Sequence, residues 1–143
     1  MAYMTEQLDL KKDEKVLEIG TGSGFQTAVL AQLVSEVYTV EIYPELSKKA
    51  QRVLSRLGFQ NVHYKIGDGK EGWEEFSPFD AIIITAVTKE IPPLLLEQLK
   101  VGGRMILSLE LENGKQYLIL VKKLERNKSE TKKLIQVRFV TLL

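Results

Sequence analysis

The chain has 143 residues, of which 44% are hydrophobic and 27% charged, and its formal net charge is +1. That describes one domain with room for a core and no global charge with which to hold nucleic acid. There is no cysteine and a single histidine, which excludes a disulfide framework, a thiolate nucleophile and a histidine-built zinc site.

No apolar run approaches a membrane span and no export signal opens the chain. The expectation is therefore a cytoplasmic protein with no membrane partner. Charge is unevenly placed: residues 110–143 hold eight Lys/Arg against four Glu. With no aromatic side chains interleaved around Lys122–Lys133, that stretch reads as a solvated hairpin tip and not as a nucleic-acid patch.

In chain order, Tyr3, Met4, Leu8 and Leu10 can line one side of a short helix with little before it to pack against. Residues 1–15 thus read as the remnant of a longer amino-terminal helical region. Val16, Leu17 and Ile19 form a buried strand that runs into glycines at 20, 22 and 24. Gln26–Val34 follows with helical spacing, and Val37–Val40 is a second strand closed by Glu41. Pro44 opens a helix whose apolar positions 46, 50, 53, 54 and 57 keep the helical period up to Gly58. Val62–Ile66 is a third strand, followed by Gly67-Asp68-Gly69. Ala81–Ile84 is a continuous apolar run, the mark of a strand covered on both faces. Pro92 and Pro93 open a helix through Leu99, Gly102-Gly103 ends that connection, and Met105–Leu109 is a fifth strand. Tyr117–Val121 and Leu134–Leu142, joined by a loop over Glu125–Lys133, make an antiparallel hairpin at the edge of a parallel sheet. The whole predicts a single three-layer α/β domain over 1–143 with a mixed seven-stranded sheet.

A strand, a glycine turn and a helix begin a βαβ unit. Such a turn brings backbone against a ligand and aims helix-start N–H groups at it. Three features fall at ends of successive strands: Gly20–Gly24, Glu41 and Asp68. In an open parallel sheet those ends line one crevice. Glu41 stands where a carboxylate accepts two hydrogen bonds from a ribose diol. A nicotinamide dinucleotide wants a small residue where this chain has Phe25. S-adenosylmethionine fits better, because it has no pyrophosphate to hold. The bland readings compete: a tight turn for the glycines, solvated loop acids for Glu41 and Asp68, a strand residue for His63, and packing against the sheet edge for Trp73 and Phe76.

Several stretches resemble one family. Val-Leu-Glu-Ile-Gly-Thr-Gly-Ser-Gly-Phe (16–25), Val-Tyr-Thr-Val-Glu (37–41), Gly-Asp-Gly (67–69) and Glu-Gly-Trp (71–73) look like protein-L-isoaspartate O-methyltransferases. So do Pro-Phe-Asp-Ala-Ile-Ile-Ile-Thr-Ala (78–86), Ile-Pro-Pro-Leu-Leu-Leu-Glu-Gln-Leu-Lys (91–100) and Val-Arg-Phe-Val (137–140). The resemblance implies the Rossmann-like class I methyltransferase fold with S-adenosylmethionine as cofactor. It implies methyl transfer to the α-carboxylate of L-isoaspartyl residues in damaged proteins, a repair reaction. Carried over by position, the cofactor site comprises Glu18, Gly20, Thr21, Gly22, Ser23, Gly24, Glu41, Ile42, Asp68 and Gly69. Gly20–Ser23 would approach the methionine part, Glu41 the ribose, and Asp68 with Gly69 the adenine. Thr85 and Ala86 would face the transferred methyl and the substrate carboxylate; no metal is implied.

The chain departs from the family pattern in places. The family carries more before the first strand, including a serine-containing active-site segment. Met1–Leu10 matches only the end of that region, and no residue here takes the serine's role. Ser108-Leu109-Glu110 replaces Pro-Val-Gly, Val87 an alanine and Thr141 a proline. Two other functions stay open: a truncated cofactor-binding module without turnover, and a small-molecule methyltransferase. A bare sheet face would also favour a homo-oligomer.

Overall fold

The structure is a computed structural model that describes residues 2–138. Seven strands form one sheet in the order β3-β2-β1-β4-β5-β6-β7. β1 (Lys15–Ile19), β2 (Glu36–Glu41), β3 (Val62–Ile66), β4 (Phe79–Thr88) and β5 (Leu99–Glu110) are parallel. β6 (Gln116–Glu125) and β7 (Lys128–Val137) add antiparallel to β5. The helices are α1 (Ala2–Leu8), α2 (Phe25–Leu33), α3 (Pro44–Arg56) and α4 (Pro93–Gln98), with short 3₁₀ turns at Gly69–Glu71 and Glu74–Phe76.

Alternate residues of the central strands feed two cores, as a sheet covered on both faces requires. Leu17, Ile19, Ile82, Ile84, Met105 and Leu107 lie on one side with Leu95 and Leu99. Val16, Val37, Ala81, Ile83 and Ile106 lie on the other with Leu30 of α2. α1 is not left without a partner: Met4 and Leu8 are buried in this second core, at 1% and 0% exposure. Arg104 locks the helix end in place, donating to the Leu8 and Asp9 carbonyls while pairing with both oxygens of Glu14. α3 starts on Pro44 and ends in a Schellman motif: Gly58, at φ 92°, donates to Ser55 O and Phe59 to Leu54 O.

Two boundaries in the last third differ from the sequence reading. β5 begins at Leu99, with a register break against β4 before Arg104 that accommodates Gly102 and Gly103. β7 begins at Lys128, so the expected long loop is a tight turn at Arg126-Asn127. Polar Lys128–Lys133 concealed this strand because it lies exposed at the sheet edge, where charge discourages further pairing. Residues 139–142 of the expected final strand, and Thr141, lie outside the described residues. Lys123 is not a solvated tip residue either. It is 7% exposed, and its ammonium donates to the Leu96, Glu97 and Leu99 carbonyls at the end of α4. Among the described residues no helix is long and apolar enough to cross a membrane.

Candidate functional site

The chain runs outward from β1 in both directions, to β2 and β3 on one side and to β4 and β5 on the other. The crevice at this switch point, beyond the carboxyl ends of β1 and β4, is where open α/β sheets bind ligands. Into it the glycine turn carries Gly20, Gly22 and Gly24, at φ 99°, 53° and 88°. Two of these glycines answer to close packing. A Cβ on Gly20 would sit 2.8 Å from the Thr85 hydroxyl, and one on Gly24 would press on Ala50 of α3 at 3.2 Å. At Gly22 a Cβ would meet nothing within 4 Å among the described residues, only open space.

Glu41 ends β2 and is buried, with both carboxylate oxygens already oriented. Oε1 accepts from Gly22 N at 2.8 Å, and Oε2 accepts from Tyr43 N at 3.1 Å. Each oxygen keeps lone-pair capacity for a second donor. Ile42 follows at 43% exposure. After β3, on the same side of β1 as Glu41, Asp68 is exposed and caps the 3₁₀ turn by accepting from Lys70 N at 2.9 Å. Gly69 sits against Ile19, where a Cβ would come within 2.3 Å of the side chain. Asp68 is thus drawn towards the end of β1 by a neighbour that only glycine can be.

Thr85 and Ala86 lie beyond the last β1–β4 pair, Ile19 with Ile84. Between Ile83 and Val87 the β4–β5 register slips. That irregularity leaves these two residues without register partners in β5. The Thr85 hydroxyl donates to Ile19 O at 3.3 Å. Farther out, a hollow of about 500 Å³ is lined by Lys70, Thr88, Lys89, Glu90, Pro92 and Leu94, among others. Its Pro92 and Leu94 come from the Ile-Pro-Pro stretch that opens α4.

Glu18 is placed below the turn and not on its surface. It is 0% exposed, and its Oε1 accepts from Thr27 of α2 and, at 2.7 Å, from Thr39 of β2. Its Oε2 has no hydrogen-bond partner among the described residues. Burial pushes its carboxyl up to about 7, against the pull of the two threonines and with some help from the Glu41 charge. Thr39 in turn lies 2.6 Å from the hydroxyl of Thr21, which is 3% exposed. Thr27 and Thr39 were not among the expected site residues. The available signal was a threonine in each of two largely apolar stretches.

Part of the aromatic set forms one cluster. Tyr38, Trp73, Phe76 and Phe79 pack edge or tilted, and His63 stacks on Tyr38 at 4.5 Å. His63 Nε2 pairs with Glu36. Among the described residues no group of His, Asp and Glu is disposed to hold a metal.

A family model described as protein-L-isoaspartate(D-aspartate) O-methyltransferase matches residues 1–143. A protein-L-isoaspartate O-methyltransferase of Nitrosospira multiformis is 52% identical over 142 residues, covering 99% of this chain and 60% of its own length. The chain therefore spans about three fifths of that relative. A solved protein-L-isoaspartate O-methyltransferase superposes with a TM-score of 0.91 at 35% identity, over 98% of this chain and 45% of its own. At the level of fold alone, a Plasmodium falciparum structure of the same description, solved with S-adenosyl-L-homocysteine, gives 0.84 at 23% identity. It covers 98% of this chain and 71% of its own.

Proposed function

The chain belongs to the protein-L-isoaspartate(D-aspartate) O-methyltransferase family, and on that premise we propose that it binds S-adenosylmethionine in the β1/β4 crevice and methylates the α-carboxylate of L-isoaspartyl residues in damaged proteins. The fold is the Rossmann-like class I methyltransferase fold of its structural relatives. The observation that carries the reading is Glu41. It is a buried carboxylate with both oxygens fixed by backbone N–H groups and free to accept a diol, beside a glycine with open space in front of it.

The residues present fit the cofactor. Gly20–Ser23 offer backbone to its amino-acid end, Glu41 receives the ribose hydroxyls, and Asp68 with Gly69 borders the adenine. When bound, the cofactor supplies a methyl group on a sulfonium, open to displacement. The acceptor carboxylate is already ionised near neutral pH, so no general base is required of the protein. The task left to the chain is alignment and exclusion of water. In this reading Thr85 and Ala86, without register partners in β5, flank the acceptor carboxylate. The acidic Glu41 and Asp68 stay on the cofactor side, where they do not repel it.

The test is incubation with an isoaspartyl peptide and methyl-labelled cofactor. Base-labile labelled ester above an aspartyl-peptide control is the expected result. Because the chain spans 60% of a relative that it matches, a second reading is a module that binds the cofactor without turnover. It predicts thermal stabilisation by the cofactor with no labelled ester. Neither binding nor ester would refute both readings.

A further inference from the structure

The surfaces that bind a ligand in the glycine turn are backbone, so something beneath must hold that backbone still. Glu18, Thr39 and Tyr64 lie in one row across β1, β2 and β3, since Glu18 pairs with Thr39 and Thr39 with Tyr64. The Thr39 hydroxyl donates its one proton to Glu18 Oε1. Towards Thr21, 2.6 Å away, it can therefore only accept, which makes Thr21 the donor. Glu18 Oε1 accepts a second hydrogen bond, from Thr27 in the first turn of α2. One carboxylate oxygen thus ties down both sides of the turn: Thr21 before Gly22 through Thr39, and Thr27 after Gly24 directly. All four side chains are 3% exposed or less, so water does not compete for these bonds.

We propose that Thr39 is a positioning residue for cofactor binding: its hydroxyl, between Thr21 and Glu18, sets the conformation of the glycine turn that meets S-adenosylmethionine. This rests on the cofactor reading above. Thr39 itself touches no ligand. Valine has nearly its shape but cannot relay the bond, so Thr39→Val leaves Thr21 without its acceptor and Glu18 with one donor fewer. The turn then loses its pre-set geometry, and the cofactor must restore it on binding.

Calorimetric titration with S-adenosylhomocysteine, which needs no turnover, tests this on the full chain. Thr39→Val is expected to raise Kd about tenfold, the scale of one buried hydrogen bond. Thr39→Ser, which keeps the hydroxyl, is expected to stay within about threefold of wild type. Val37→Ala, in the same strand and buried in the neighbouring core, controls for strand stability: it lowers the melting temperature and leaves Kd unchanged. Wild type that binds while Thr39→Val binds equally well overturns the relay alone. So does Val37→Ala weakening binding as much as Thr39→Val, or Thr39→Ser failing to restore it. Wild type that takes up no S-adenosylhomocysteine overturns the cofactor reading and the relay with it.

Discussion

Replacing Glu18 by Gln removes a charge that burial disfavours, and the consequence is a change in how stability depends on pH. The carboxyl titrates near 4.5 in the unfolded chain and is pushed up to about 7 in the folded one, with burial as the leading cause. Between those values the folded protein holds a proton that the unfolded chain has released. Stability from this group is therefore fully present below pH 4.5, falls as pH rises, and levels off above about 7. At about 1.4 kcal/mol per pH unit, the interval amounts to roughly 3 kcal/mol.

Glu18→Gln does not titrate. Its amide oxygen still accepts from Thr27 and Thr39, while its amide nitrogen takes the place of Oε2, which in the wild type has no partner among the described residues. The unmet amide costs about 1–3 kcal/mol at every pH, an offset that leaves the slope alone. Urea unfolding of both proteins from pH 5 to 8 isolates the carboxyl, because other groups titrating in that window are shared and cancel. Glu18→Gln is expected to gain roughly 2–3 kcal/mol relative to wild type across the series, since the first part of the change falls below pH 5. Parallel curves would refute the reasoning, since a buried carboxyl that ionises freely cannot be one that burial penalises.

Gly22→Ala and Gly20→Ala separate ligand space from packing. The first, at φ 53° with no neighbour within 4 Å, is expected to cost about 1 kcal/mol in stability yet to weaken S-adenosylhomocysteine binding, because its methyl enters the crevice. The second meets the Thr85 hydroxyl at 2.8 Å and is expected to lower the melting temperature visibly more. Glu41→Gln keeps one acceptor for Gly22 N but loses the charge and the second acceptor, and a roughly tenfold rise in Kd is expected by calorimetry. Arg104→Ala releases the end of α1 and strands a largely buried Glu14, with an expected loss of roughly 3 kcal/mol in urea. The Arg104 hydrogen bonds lower the Glu14 carboxyl, so its stabilisation is present above pH 4.5 and lost as pH falls through the depressed value. In Arg104→Ala that acid limb flattens.

What could be read from the sequence, and what could not, divides along the range of the interactions involved. β4 was visible because a strand buried on both faces is apolar without a break, β1 because Val16, Leu17 and Ile19 run straight into the glycine turn, and α3 because Pro44, the helical period and Gly58 are signals local to it. The first half of β7, 128–133, was not, because an exposed edge run of Lys, Ser, Glu and Thr carries the composition of a loop. Its identity comes from pairing with β6, Val121 with Thr131 and Lys122 with Glu130. The site divides in the same way. Gly20, Gly22, Gly24 and Glu41 stand out because backbone freedom and a strand-end carboxylate are properties of single residues. Thr39 acquires its place only through register, since Glu18 lies opposite it in β1. A slip of one residue in that pairing would turn its side chain into the other core, where the Thr21 hydroxyl would have no acceptor. Glu18 shows the same dependence from the other side: read alone it is one more acidic neighbour of the turn. The β1–β2 register and α2 make it a fully buried carboxylate whose bonded oxygen holds the turn from below.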